Sequence, residues 1–212
     1  MAINRWFLID EWHTNTILQL NNLDGSFPSL FSNLQYLTYL DLSHNAFSGP
    51  ITSLLTNLQH VTYLDLSYNE FSGSIPSFLA NLQHLTHLDL SFNAFSGPVP
   101  NFLGQLTKLQ KLILSNNNLG GKLLLSSLAN YSTQIFILDC SHNKFQGPLP
   151  NTITDLSNNQ FTGHMSAISS HSLQALSLCG NKLQGNVPES MFNLALVCYS
   201  TLELFMVGLD RV

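Results

Sequence analysis

The pattern Asn-x-(Phe/Leu)-x-Gly occurs seven times in this chain, as NAFSG, NEFSG, NAFSG, NNLGG, NKFQG, NQFTG and NKLQG. The closing glycines fall at 49, 73, 97, 121, 147, 163 and 185, and Gly25 precedes them at the same interval. The first four steps are 24 residues each. A fixed period in this range selects one architecture, in which supersecondary units stack into a solenoid and each buries its apolar face against its neighbours. Such a stack presents a long surface, so recognition is the function to expect first.

The interior of one unit explains the surface. In the run Thr38 to Asn45, side chains alternate along a strand, so Leu40 and Leu42 face one way and Tyr39, Asp41 and Ser43 the other. The same register recurs at Leu64/Leu66, Leu88/Leu90, Leu112/Leu114, Leu138/Cys140 and Leu176/Leu178. Stacked runs then make a parallel concave sheet with strands about 4.8 Å apart, leucines inside and the intervening residues in solvent. The column Asn45, Asn69, Asn93, Asn117, Asn143, Asn159 and Asn181 is predicted to form a ladder, each amide bonding backbone in its own and the neighbouring turn. Phe47, Phe71, Phe95, Leu119, Phe145, Phe161 and Leu183 would stack as a spine inside the coil.

Composition narrows the partners. Seven Lys/Arg against twelve Asp/Glu give a net charge of -5, with no basic cluster, which excludes a phosphate-backbone footprint and hence nucleic acid. Neither end carries a convincing signal peptide, and the apolar stretch from Leu194 to Val212 contains Glu203 and Asp210, unlike a membrane span. The cysteines, Cys140, Cys179 and Cys198, have no metal-ligand spacing, and Cys140 stands where the repeat places a buried Leu.

Candidate binding residues lie on the concave columns. Tyr39, Tyr63, His87 and Lys111 form one, and His44, Tyr68 and Phe92 another; aromatics on a rigid sheet are good anchors, and residues 39 to 92 are the expected ligand-contacting patch. Asp41, Asp65 and Asp89 form a column between them, where stacked carboxylates repel unless a cation or basic group intervenes. Because Leu-Asp-Leu-Ser recurs on most rungs, a scaffold role is the favoured reading and no metal is assigned. A triad of Asp65, Ser67 and His87 is set aside on the same ground, since a catalytic site is a singular constellation and not a period. No enzymatic activity and no cofactor are expected. Asn130-Tyr131-Ser132 is a glycosylation sequon on the convex side of the longest repeat.

The segments GSIPSFLANLQHL and GPVPNFLGQLTKL, following Leu-x-x-Leu-x-Leu-x-x-Asn-x-(Leu/Phe)-x-Gly, resemble the plant-type leucine-rich repeat. That resemblance implies an α/β solenoid, a right-handed arc with a parallel concave β-sheet, a short second strand at Gly-x-(Ile/Val)-Pro and a convex side of 3₁₀ turns and loops. Phrases such as LDLSHNAFSGP look particularly like plant receptor-like proteins, cell-surface receptors with a leucine-rich ectodomain, one membrane span and no kinase. By resemblance, the chain is a receptor ectodomain at the plasma membrane or its extracellular face. It would bind a protein or peptide ligand in defence or developmental signalling, with a co-receptor kinase as partner.

The pattern divides the chain into a degenerate segment at 1–16, a solenoid at 17–190 with about eight repeats, and a degenerate last repeat or truncated end at 191–212. The stretch 148–163 is irregular, because the step from Gly147 to Gly163 is 16 residues. The stable unit is expected over 38–147, with the C-terminal part looser. Two alternatives remain: a secreted leucine-rich inhibitor of a cell-wall-degrading enzyme, resembling polygalacturonase-inhibiting proteins, and a receptor fragment without function of its own.

Overall fold

The computed structural model describes residues 15–18, 21–26, 35–51, 53–123, 137–149, 155–164, 175–176, 178, 180–184 and 195–196. The sequon at Asn130, Cys179 and Cys198, and nearly all of the two end segments lie outside them.

Each turn from Asn15 to Gly147 contributes two short strands. The concave sheet is built from β1 (Asn15–Ile17), β3 (Tyr39–Asp41), β5 (Tyr63–Asp65), β7 (His87–Asp89), β9 (Lys111–Ile113) and β11 (Ile137–Asp139), in that order and all parallel. The second sheet runs β2 (Asp24–Gly25), β4 (Ala46–Pro50), β6 (Glu70–Gly73), β8 (Ala94–Gly97), β10 (Asn118–Lys122), β12 (Lys144–Gly147), β13 (Gln160–His164) and β15 (Lys182–Gln184). A separate parallel pair joins β14 (Ala175–Leu176) to β16 (Ala195–Leu196). Rung-to-rung backbone bonding continues past each concave strand, with the amides of Leu42, His44 and Asn45 donating to carbonyls of the next rung at 2.9, 3.0 and 3.1 Å.

The second strand lies on the Phe-x-Gly stretch, not on the Gly-x-(Ile/Val)-Pro segment that the resemblance implied. The reason is local. Gly73 turns the chain at φ +83°, and Pro76, which has no N–H for a ladder, instead opens the 3₁₀ turn Ser77–Asn81. Pro100 does the same for Asn101–Gln105. The convex side therefore carries 3₁₀ turns, as expected, and the helical segments among the described residues are all of this type.

The core is a thin strip running along the coil axis. Leu40, Leu42, Leu64, Leu66, Leu88 and Leu90 are fully buried, as is Cys140 in the place of a leucine. Burial pushes the Cys140 thiol far above its usual range, with Asp139 and Asp155 adding to the effect, so it packs as a small hydrophobe. Phe47, Phe71 and Phe95 stack at 6.0 and 6.3 Å, and Phe145 meets Phe161 at 6.4 Å.

The Asn ladder closes this core on its polar side. Asn69 Nδ2 donates to the carbonyls of Leu42, Leu66 and Ser67 at 3.0, 3.2 and 3.0 Å, while its Oδ1 accepts the Phe47 amide at 3.0 Å. Two of those four bonds reach the preceding rung. The pattern survives the short repeat: Asn159 donates to Cys140, Leu156 and Ser157 and accepts from Phe145. A bridge between Asp139 and Asp155 continues the concave sheet there, and β12 pairs with β13. Among the described residues the ladder continues across the 16-residue step as far as Asn181, whose Oδ1 accepts the Phe161 amide at 3.1 Å.

Candidate functional site: the concave aromatic rungs

Three consecutive rungs carry aromatic side chains in matching positions. In the first column the Tyr39 and Tyr63 rings stack at 4.1 Å and the Tyr63 and His87 rings at 4.2 Å, with Lys111 next in register. In the second, His44 stacks on Tyr68 at 4.1 Å and Tyr68 on Phe92 at 4.0 Å. Rings at this separation are held by the strand spacing itself, so the columns are rigid before any ligand arrives.

The second column has an unusual backbone. His44, Tyr68 and Phe92 are left-handed, at φ 55, 52 and 51°. So are Asn22, Asn116, His142 and Asn158, the equivalent residues of other rungs, at φ 54, 55, 51 and 52°. Asn tolerates this region because its short polar side chain bonds locally, whereas a bulky aromatic there costs about 1–2 kcal/mol. Tyr68 and Phe92 nonetheless hold it while remaining 42 and 41% exposed. The fold gains little by placing them there.

The aspartates between the columns have a structural duty. Oδ1 of Asp41, Asp65, Asp89, Asp139 and Asp155 each accepts the amide two residues on, at 3.0, 2.9, 2.9, 2.9 and 3.0 Å. These Asx-type bonds fix the turn that leads to the left-handed residue. The sequence showed the period but not this local bond. Asp89 is held above the usual carboxylate range by burial, partly offset by two bonds from Ser91, with Asp65 adding to the rise.

His87 is the site's outlier. Its Nε2 is buried and has no hydrogen-bond partner. Burial and then Lys111 hold its pKa below the usual histidine value, against the pull of Asp65 and Asp41. Ser67 is almost fully buried and its amide is bound to Asp65, so a triad through His87 is not assembled. Ligand atoms of Asp65, His87 and Asp89 do converge, however, within 4.8 Å of one another. Burial pushes Tyr63 well above the usual phenol range, with Tyr39, Asp65 and Asp41 adding to it, and its hydroxyl lies 3.3 Å from Asp65 Oδ2.

Two features escaped the sequence reading. A third column, Tyr36, His60 and His84, stacks at 6.4 and 6.1 Å on the turns entering the concave strands and ends at Lys108, whose Nζ is 3.0 Å from His84. An open groove of about 490 Å³ lies on the second sheet, lined by Asn118, Gly120, Lys144, Gln146 and Gln160 among others. Gly120 and Gly121 both line it, where neighbouring rungs have Ser96 and Gln146 before the repeat glycine; the Gly-Gly pair was the visible signal.

The repeat, the two-strand turns and the Asn ladder together match known proteins. Profiles described as leucine rich repeat fit residues 15–71 and 59–119, and a second fits 134–156 and 172–194, together well over half of the chain. The chain belongs to the leucine-rich-repeat family. Its repeat is of the plant receptor type. A plant ice-binding protein is 28% identical with a TM-score of 0.74, covering 83% of this chain and 60% of that one. The ectodomain of the Arabidopsis thaliana receptor kinase GASSHO1/SCHENGEN3, in complex with Casparian strip integrity factor 2, is 29% identical at TM-score 0.75. It covers 88% of this chain, which spans only 24% of that ectodomain. The PEPR1–AtPEP1 structure is 27% identical at TM-score 0.75, covering 87% of this chain and 29% of that one. No curated protein matches the chain. Among the described residues, no helix is long and apolar enough to cross a membrane.

Proposed function

We infer that this leucine-rich-repeat chain is a peptide-recognition segment of a plant-type receptor, and that the ligand lies across the concave rungs from Tyr39 to Lys111. One observation carries the reading. Tyr68 and Phe92 sit exposed in a left-handed conformation that Asn occupies more cheaply at Asn116 on the rung after Phe92, and they stack into a continuous ladder with His44. Backbone strain kept without a packing return belongs to binding and switching sites. Aromatic anchors of fixed geometry give contact area with little entropy to lose.

The described likenesses support the same direction: PEPR1 is seen with AtPEP1 and GASSHO1/SCHENGEN3 with Casparian strip integrity factor 2. A co-receptor kinase is the expected second partner of a receptor with this type of repeat. An extracellular location, a plasma-membrane receptor, a role in defence or development and a glycan on Asn130 complete the proposal. The test is selection of a displayed library of random linear peptides on the chain. Enrichment that vanishes with Tyr63→Ala and Tyr68→Ala supports the reading, and enrichment indifferent to both removes it. Inhibition of a polygalacturonase by the chain would favour the inhibitor alternative instead.

A second reading follows from the likeness to the plant ice-binding protein. The eight parallel strands of the second sheet offer a regular exposed face that includes Ser96 and Thr162. Exposed charges at Glu70, Lys122, Lys144 and Lys182 interrupt it, so ice recrystallisation in the presence of the chain is expected to match a control protein.

A further inference from the structure

The concave face holds one polar cluster whose convergence neither the turn bonds nor the aromatic stacking requires. Asp65, His87 and Asp89 bring three potential ligand atoms within 4.8 Å of one another, across two adjacent rungs. In each aspartate the capping bond occupies one oxygen and leaves the other. Asp89 Oδ1 takes both bonds from Ser91, and Asp65 Oδ1 takes the Ser67 amide, while Asp65 Oδ2 has only the long contact from the Tyr63 hydroxyl. His87 contributes a second and independent observation: a buried Nε2 with no partner, on a ring fixed by stacking against Tyr63. A buried imidazole nitrogen without a bond is a standing cost to the fold.

We propose that Asp65, His87 and Asp89 form a binding site for a divalent first-row transition metal, with zinc the best fit. One imidazole and two carboxylates make a borderline donor set that suits zinc, and three protein ligands leave a fourth position open to water or to a bound molecule. A tetrahedral zinc site spaces its N and O ligands about 3.4 Å apart, so the three groups would draw closer on binding. The Ser67 and Ser91 bonds to the same carboxylates would orient them from behind, as outer groups do in metal sites. Lys111 is the opposing charge, one rung beyond His87, and Asp41 the supporting one, one rung before Asp65. A guanidinium would satisfy the two carboxylates equally well, but it offers nothing to a neutral imidazole beyond one hydrogen bond. The metal uses all three groups.

The experiment is zinc titration of the tag-free full chain against a chromophoric chelator, with a thermal melt of each variant. The expected result is about one zinc per chain, weakened at least about tenfold in His87→Ala and in Asp65→Asn. Asp65→Asn keeps an oxygen for the Ser67 amide, so it separates loss of the ligand from loss of the turn. Lys111→Met should tighten binding. The His60→Ala, His84→Ala double variant should leave it unchanged. No zinc uptake by the folded chain overturns the proposal, as does uptake indifferent to His87→Ala or lost only with His60 and His84. Aspartate-dependent capture of an arginine-containing peptide without zinc uptake would overturn it in favour of a basic-group site.

Discussion

Asn93 illustrates how much one side chain holds in this fold. Its amide donates to Leu66, Leu90 and Ser91 at 2.9, 3.3 and 3.0 Å and accepts from Phe71 at 2.9 Å. Replacing it with Ala strands a backbone amide and carbonyls that no water easily reaches. Asn93→Ala is therefore expected to lower unfolding free energy by about 2–3 kcal/mol in a urea titration. Tyr68 predicts the opposite balance. Tyr68→Asn supplies the residue type that the same turn carries at Asn116. Its unfolding midpoint should equal or exceed the wild type, within about 1 kcal/mol, while peptide capture falls. A large destabilisation would mean the aromatic is there for the fold. His87 gives a pH signature. Its folded pKa is lowered, so the unfolded chain takes up the proton first as pH drops, and the stability present above 6.5 is lost on acidification below it. His87→Gln should flatten the fall in melting temperature that begins below pH 6.5. Asp89 acts the other way and in a more acidic window, because its raised pKa adds stability as it takes up its proton, most fully below 3.8.

The short repeat is the element whose stability the sequence leaves most open. A 16-residue step looked like a weak point, with the firm region ending at 147. The Asn-ladder bonds are made there, Phe145 to Asn159 and Phe161 to Asn181 at 3.0 and 3.1 Å, while the concave strand is reduced to the Asp139–Asp155 bridge. Hydrogen exchange at the Phe145 amide is accordingly expected to be as slow as at Phe71, and Asn159→Ala should release it selectively. Rapid exchange at Phe145 in the wild type would restore the earlier boundary. The concave strands, the Asn ladder and the aromatic spine were legible because each is a column with one residue type and one period. The left-handed turn was not, since Tyr, Phe, His and Asn share it and no single letter marks it. Nor was the Asx bond, which depends on a side chain folding back on its own backbone. The aspartate column is legible, and with it the room for a cation between its carboxylates, but the same Asp recurs on most rungs and favours a scaffold role; the convergence of His87 on Asp65 and Asp89 needed the structure.

The whole molecule is held by a strip of leucine and phenylalanine and a ladder of neutral amides, with only 9% of residues charged. Its stability should therefore vary by less than about 0.5 kcal/mol between low and moderate sodium chloride, as surface ion pairs would contribute little. Substitutions at the core should act locally, because each rung touches only its neighbours. Leu88→Ala is expected to cost about 2–5 kcal/mol and to leave exchange at the most distant rungs least affected, as read by mass spectrometry.

The left-handed turn has a consequence for how such a surface changes over time. At residues 22, 44, 68, 92, 116, 142 and 158 the backbone φ stays between 51 and 55° whether the letter is Asn, His, Tyr or Phe. The frame keeps one geometry whatever it displays, at a strain cost small enough to bear. A lineage carrying this fold can rewrite one letter per rung, and so acquire a new taste in partners, by single point changes that never ask the scaffold to be reinvented.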